Sequence, residues 1–203
     1  GLNAMADLEK TGKNLENRGF RVHRFASGAE AAEFLVQTLH GTSIGIGGSV
    51  TIDTLGVYDR LCGSNEVFWH WKNHAPETRE RAGKAETYLC SANGVSENGE
   101  IVNIDGFGNR VAGTIYGPER VFLVVGRNKI APDLTGAIDR ARNIAAPLNA
   151  RRLNRHTPCA VGEPRCRDCR SPEKVCGVMT VFFMPPTSIK EFHAILVDED
   201  LGY

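Results

Sequence analysis

Apolar residues along this chain recur with two different periods, and the switches between them divide it into alternating helices and strands. After Ser27, apolar side chains fall at Ala31, Phe34, Leu35 and Leu39, one helical face, before a stop at Gly41. SGAE at 27–30 opens that helix as a capping box. Ile52, Leu55, Tyr58 and Cys62 predict a helix from Val50 to Cys62, stopped by Gly63. Pro76 suits the first turn of a helix running to about Gly83. Leu134, Ile138, Ala141, Ala145 and Leu148 mark an amphipathic helix over 132–149, which Pro147 kinks or ends by removing the bond to Asn143.

Short apolar runs fill the gaps. SIGIGG at 43–48, EVFWHW at 66–71 and AETYLCSA at 85–92 predict strands, as do VMTVFFM at 178–184 and HAILVDE at 193–199. VFLVVG at 121–126 is apolar on both faces, as a central parallel strand must be. VSENGEIV at 95–102 predicts a hairpin, with Asn98-Gly99 in a type I′ turn. Asn109 is placed to cap a short helix carrying Val111, Ala112, Ile115 and Tyr116. This alternation predicts an α/β three-layer sandwich with a largely parallel sheet.

Composition narrows the class. The 203 residues fit one domain over 1–203, able to bury about 70% of its unfolded surface. Twenty-four Lys and Arg against 24 Asp and Glu give no global attraction to nucleic acid or anionic lipid. The longest apolar run falls far short of the ~18 residues of a membrane span. Six cysteines are too sparse for a secreted disulfide scaffold, which predicts a reducing cytoplasm. The opening GLNAMADLEK lacks an apolar signal core and begins with Gly, so it reads as a tagged or processed end outside the fold.

Three stretches carry candidate chemistry. TPCAVGEPRCRDCRSPEKVCG at 157–177 reads as a cysteine-rich insertion, holding Cys159, Cys166, Cys169 and Cys176 around a C-x-x-C knuckle. Its low apolar content calls for something other than hydrophobic burial to order it. The candidates are one zinc or one four-iron, four-sulfur cluster; the plainer alternative is two disulfides or four free thiols. Surrounding arginines would offset a thiolate site, and they also keep a metal-stapled nucleic-acid or protein binding module among the alternatives. No aromatics are interleaved with them, so nucleic acid is the weaker expectation.

GIGGSVT at 45–51 puts Gly45, Gly47 and Gly48 between a strand and a helix, followed by Ser49 and Thr51. Such a turn can hold a phosphate or carboxylate, although it is neither a dinucleotide fingerprint nor a P-loop. No flavin motif is evident either. NIDGFGNR at 103–110 offers Asn103, Asp105 and Asn109 at a strand end, and GRNKI at 126–130 offers Asn128 and Lys129. Glu97, beside the hairpin turn, joins Asp105 and Lys129 as an acid–base or nucleophilic candidate.

Taken in order, GGSVT, NGVSENGEIVNIDGFGNRVAGTIYGP, VVGRNKI, RARNIAAPLNARRL, the four-cysteine segment and HAILVDEDLGY resemble the lactate-utilisation (LUD-domain, LutC-like) family, from about Leu8 onward. The cysteine segment is similar to that of a stand-alone branch. The resemblance implies a fold like that of ribose-5-phosphate isomerase, glucosamine-6-phosphate deaminase and the CoA transferases. It also implies a role beside iron–sulfur proteins that oxidise L-lactate to pyruvate; with the glycine turn, that makes the chain an accessory component binding a small anionic metabolite or cofactor. The alternative within that fold is an independent isomerase- or transferase-like enzyme on a phosphorylated or CoA-linked substrate. Transfer from fold to reaction is analogy.

Overall fold

The computed structural model describes residues 6–203. Helix α1 (Leu8–Asn17) and strand β1 (Arg21–Phe25) come first, then α2 (Gly28–Thr38) and β2 (Ser43–Ile46). Two short helices follow, α3 (Val50–Leu55) and α4 (Tyr58–Cys62), then β3 (Glu66–Trp69), α5 (Thr78–Gly83) and β4 (Thr87–Ser91). The middle of the chain holds β5 (Gly94–Ser96), β6 (Ile101–Asp105), α6 (Asn109–Ile115), β7 (Arg120–Gly126) and β8 (Ile130–Ala131). A long helix then runs as α7 (Leu134–Arg140), a π-helical turn (Ala141–Ala145) and α8 (Ala146–Arg152). The short α9 (Pro158–Val161), β9 (Val178–Phe182) and β10 (Glu191–Val197) complete the order.

Six strands form a parallel sheet in the order β1-β10-β7-β4-β2-β3. Alternate residues of β7 show why it is central: Phe122 and Val124 face one core, Val121, Leu123 and Val125 the other. The first core receives α2, α3 and α4 through Leu35, Ile52 and Leu61. The second receives Leu15 from α1 and, from a smaller four-stranded sheet, Val95, Ile101 and Phe182. The chain is thus the expected three-layer α/β sandwich. The smaller sheet, ordered β8-β5-β6-β9, lies within one flank and turns Val102 and Ile104 toward Ala137, Ala141 and Ala146 of the long helix.

Three local expectations need correction, and a fourth is narrowed. The end set aside at the N-terminus is structured from Leu8 onward, and Asp7 caps α1 by accepting from the Lys10 amide at 2.9 Å; the first five residues lie outside those described. The single helix over 50–62 is two, because Gly56 takes a left-handed φ of 64° and ends α3 after six residues. The hairpin turn is not type I′. Gly99 alone adopts positive φ, at 93°, the Gly99 amide donates to Ser96 O at 2.9 Å, and the Asn98 amide donates to Ser96 Oγ. That is a three-residue loop with a left-handed glycine. Of the two outcomes expected at Pro147, the helix does not end: a π turn, with the Ala146 amide donating to Ala141 O, carries it on to Arg152.

Candidate functional site

The connection from β2 to β3 passes over the face covered by α3 and α4, while the chain leaving β4 crosses to the opposite face. Neighbouring strands β2 and β4 therefore send their connections apart, and the sheet opens at their carboxyl ends, where α/β sheets place ligands. A crevice of about 840 Å³ occupies that opening. Gly48 and Ser49 after β2, Ser91 at the end of β4 with Asn93 just beyond, Asp105 at the end of β6 and Lys129 after β7 all line it.

The candidates from sequence divide into groups. Gly48, Ser49, Thr51, Asp105, Asn109 and Lys129 line the crevice. Gly45 serves packing instead: a Cβ there would meet the Ala82 carbonyl of α5 at 2.0 Å. Gly47 packs under Arg110 and Tyr88, whose atoms would lie 2.8 and 2.9 Å from its Cβ. Ser49 accepts from the Ile52 amide at 3.1 Å, and the Thr51 hydroxyl donates to Leu201 O at 3.3 Å, so both hydroxyls are engaged by the fold. Asn128 fastens the C-terminal segment, accepting from the Leu201 amide and donating to Leu201 O and Gly202 O. Asn103 is fully buried opposite Thr180 of β9, on the face of β6 turned toward the main sheet. Glu97 is the clearest displacement: at the hairpin turn it accepts from the Asp7 amide and from Lys10 Nζ, tying β5 to α1. Asn109 is the first residue of α6, not its cap. Asp105 does that work, its Oδ2 accepting from the Arg110 and Val111 amides at 3.1 and 3.3 Å.

Charge sets the character of the crevice. Seven cationic side chains line it against three carboxylates. Of those carboxylates, Asp53 pairs with Lys72 at 2.9 Å and Glu173 with His156. The cations that matter donate to neutral oxygens. Arg110 Nη2 reaches Asn93 Oδ1 at 2.7 Å and Ile104 O at 2.6 Å, Arg152 reaches Asn149 Oδ1 at 2.8 Å, and Lys129 Nζ reaches Ala92 O at 3.1 Å. Lys129 is only 4% exposed. Burial first, then the charges of Arg140 and Arg110, lower its pKa to about 7. Behind it, Arg140 donates to Asn128 O, Asn93 O and Tyr203 O. Burial, with Arg79, His74 and Arg152 nearby, lowers the pKa of His70 to about 4. The Arg152 guanidinium stacks on Trp71 at 4.6 Å and that of Arg79 on Phe107 at the same distance, giving the rim flat, cationic faces.

The model of the LUD domain matches residues 8–197. The chain belongs to the LUD domain family. That family is associated with lactate utilisation. Among solved structures, a DUF162 family protein from Deinococcus radiodurans superposes with a TM-score of 0.55 at 13% identity, over 94% of this chain and 95% of that one. At such identity the likeness speaks for the fold alone. No curated protein matches the chain.

In this LUD domain the cysteine segment stands against the crevice. Pro172 to Val175 line the crevice, and the backbone of Val175 passes so close to Gly106 that a Cβ there would meet its Cα at 2.7 Å. The segment thus walls the crevice with Pro172 to Val175, while its four cysteines line a separate cavity beside it. Cys159, Cys166, Cys169 and Cys176 are free thiols, half-buried, around a second cavity of about 20 Å³. Burial raises the pKa of Cys176, Lys174 lowers it, and the charges of the other three thiols raise it further. Among the described residues, no three His, Cys, Asp or Glu side chains are already arranged to hold a metal ion, and no helix is long and apolar enough to cross a membrane.

Several residues of the crevice escape a reading of sequence. Asn93 sits in the turn between β4 and β5, Arg110 in α6 and Arg152 in α8, and no spacing along the chain joins them. His70, Trp71 and Lys72 did carry a signal. The run EVFWHW was read as strand throughout, but β3 ends at Trp69, leaving the aromatic and basic residues just beyond its carboxyl end.

Proposed function

We propose that this LUD domain binds a small organic anion in the crevice between β2 and β4, as an accessory or ligand-binding component of organic-acid utilisation, on the route from L-lactate to pyruvate. One observation carries the reading. Arg110, Lys129 and Arg152 converge on the crevice from different elements with their charges unspent on carboxylates. Cations held by neutral acceptors keep their attraction for an incoming carboxylate or phosphate. At about 840 Å³ the crevice exceeds what lactate needs and suits a cofactor-sized anion, with Trp71 offering a surface for a planar group. Electron transfer in such a system falls to iron–sulfur partner proteins. The test is a thermal-shift screen with lactate, pyruvate, sugar phosphates and CoA esters; at a hundred times Kd the ligand adds about 2.7 kcal/mol of stability. A flat response to every compound removes the proposal.

The second reading is an isomerase- or transferase-like enzyme on a phosphorylated or CoA-linked substrate. Lys129 favours it, since an amine titrating at about 7 can exchange a proton or attack a carbonyl near neutral pH. Turnover by the purified chain, lost in Lys129→Met, distinguishes it from binding alone. A nucleic-acid role has less behind it: Arg167 pairs with Glu163, and Arg170 with Asp168.

A further inference from the structure

The segment 162–177, GEPRCRDCRSPEKVCG, has Val175 as its one large aliphatic residue, yet it forms a wall of the crevice. Hydrophobic burial cannot hold it there. Its anchors are polar: the Cys166 amide donates to Asn143 Oδ1 at 3.0 Å, and Arg151 donates to Ala160 O and Gly162 O. What the segment does bring together is sulfur. Cys159 in α9, Cys166 and Cys169 in the loop beyond it and Cys176 ahead of β9 all reach the same small cavity, whereas Cys90 is shut in the core and Cys62 is exposed at the end of α4.

The knuckle is shaped for a bound sulfur. Asp168 takes a φ of 47°, left-handed and rare for a residue other than glycine, which turns its amide back on Cys166 Sγ at 3.4 Å. Arg142 Nη2 approaches the same sulfur at 3.5 Å. Such donors support a thiolate that ligates a metal. Four thiols have no reason to close on one point unaided, because neutral sulfurs attract weakly and ionised ones repel; an ion supplies the attraction, and binding then completes the local fold.

We propose that Cys159, Cys166, Cys169 and Cys176 close around one soft divalent ion with the chemistry of zinc, and that this ion fixes the segment as a wall of the crevice. Cavity size separates this from the cluster alternative. About 20 Å³ admits a guest the size of one water or ion, and a four-iron, four-sulfur core is far larger. A closed tetrathiolate site is structural, leaving no open position for a reactant.

The experiment takes the full chain, purified anaerobically with reductant and stripped by chelator, and titrates it with Co²⁺ or Zn²⁺ alone. Saturation at one ion per chain is expected, with thiolate-to-cobalt charge-transfer absorption and tetrahedral cobalt bands. Cys166→Ser combined with Cys169→Ser should abolish both, and Cys62→Ser should leave them unchanged. Trypsin provides a separate readout at Arg165, Arg167, Arg170 and Lys174: an ion at a hundred times its Kd should slow cleavage there about a hundredfold. If the double variant fails to fold, the unsubstituted chain still decides, because cobalt binding without sulfur charge transfer overturns the proposal. So does the absence of saturable binding, or reconstitution to a brown, four-iron form. No readout requires an anion in the crevice, so failure here leaves the proposed function standing.

Discussion

Lys129 concentrates the chemistry of the crevice in one side chain. Burial and the Arg140 and Arg110 charges lower its pKa to about 7, so it is charged below that pH and neutral above it. A bound anion favours the charged form, and binding above pH 7 should therefore take up a proton. Affinity is expected to fall as pH rises through about 7, by up to tenfold per unit while this group dominates. Titrations across pH check it: Lys129→Met should lose the inflection, and an unchanged profile would place the charge elsewhere. The glycines make a second contrast. Gly45→Ala drives a methyl into the Ala82 backbone and should cost about 3 kcal/mol in urea unfolding. Gly47→Ala meets the Arg110 side chain, which can shift, and the hydroxyl of buried Tyr88, which cannot, so it should lower both anion affinity and stability. From sequence these two glycines look alike; only the neighbour across the turn tells them apart.

Among elements, α1 shows what sequence reading left out. The opening GLNAMADLEK reads as a tagged or processed end, yet α1 begins inside it at Leu8, and Leu15 is fully buried in the core between the two sheets. Leu15→Ala should therefore cost about 3 kcal/mol, measured by denaturant unfolding; a loss below about 0.5 kcal/mol would mean that α1 is not part of the cooperative fold. Central strands β7 and β10 of the main sheet were legible because both faces are apolar, a pattern no surface strand needs, whereas edge strand β1, RVHRF, was missed because it is largely polar and part-exposed. In the smaller sheet β5, β6 and β9 were legible as the hairpin at 95–102 and the run at 178–184, but β8 was not, since two residues carry no period. Helix α6 tests the role of Asp105. Asp105→Ala removes the acceptor for two amides and should cost about 1 kcal/mol, while Asp105→Asn keeps an acceptor and should retain anion binding. Loss of turnover with binding intact in Asp105→Asn would instead favour the enzymatic reading.

For the molecule as a whole, the position of the crevice follows from topology and its charge from convergence. The glycine turn and the loop after β6 were legible as ends of strands. That Arg110, Lys129 and Arg152 point into one space was not, because they lie on elements far apart in the chain and only the crossing of connections at β2 and β4 unites them. The cysteine segment links the two parts of the account, since it walls the crevice while being held by polar contacts and sulfur. The central claim is that these cations bind an organic anion. Its most direct measurement is a calorimetric titration of the panel's best ligand into the chain, Arg110→Ala and Lys129→Met, each at two salt concentrations. The account predicts saturable binding that weakens with salt and falls at least about tenfold in each variant. Binding that neither substitution changes would contradict it.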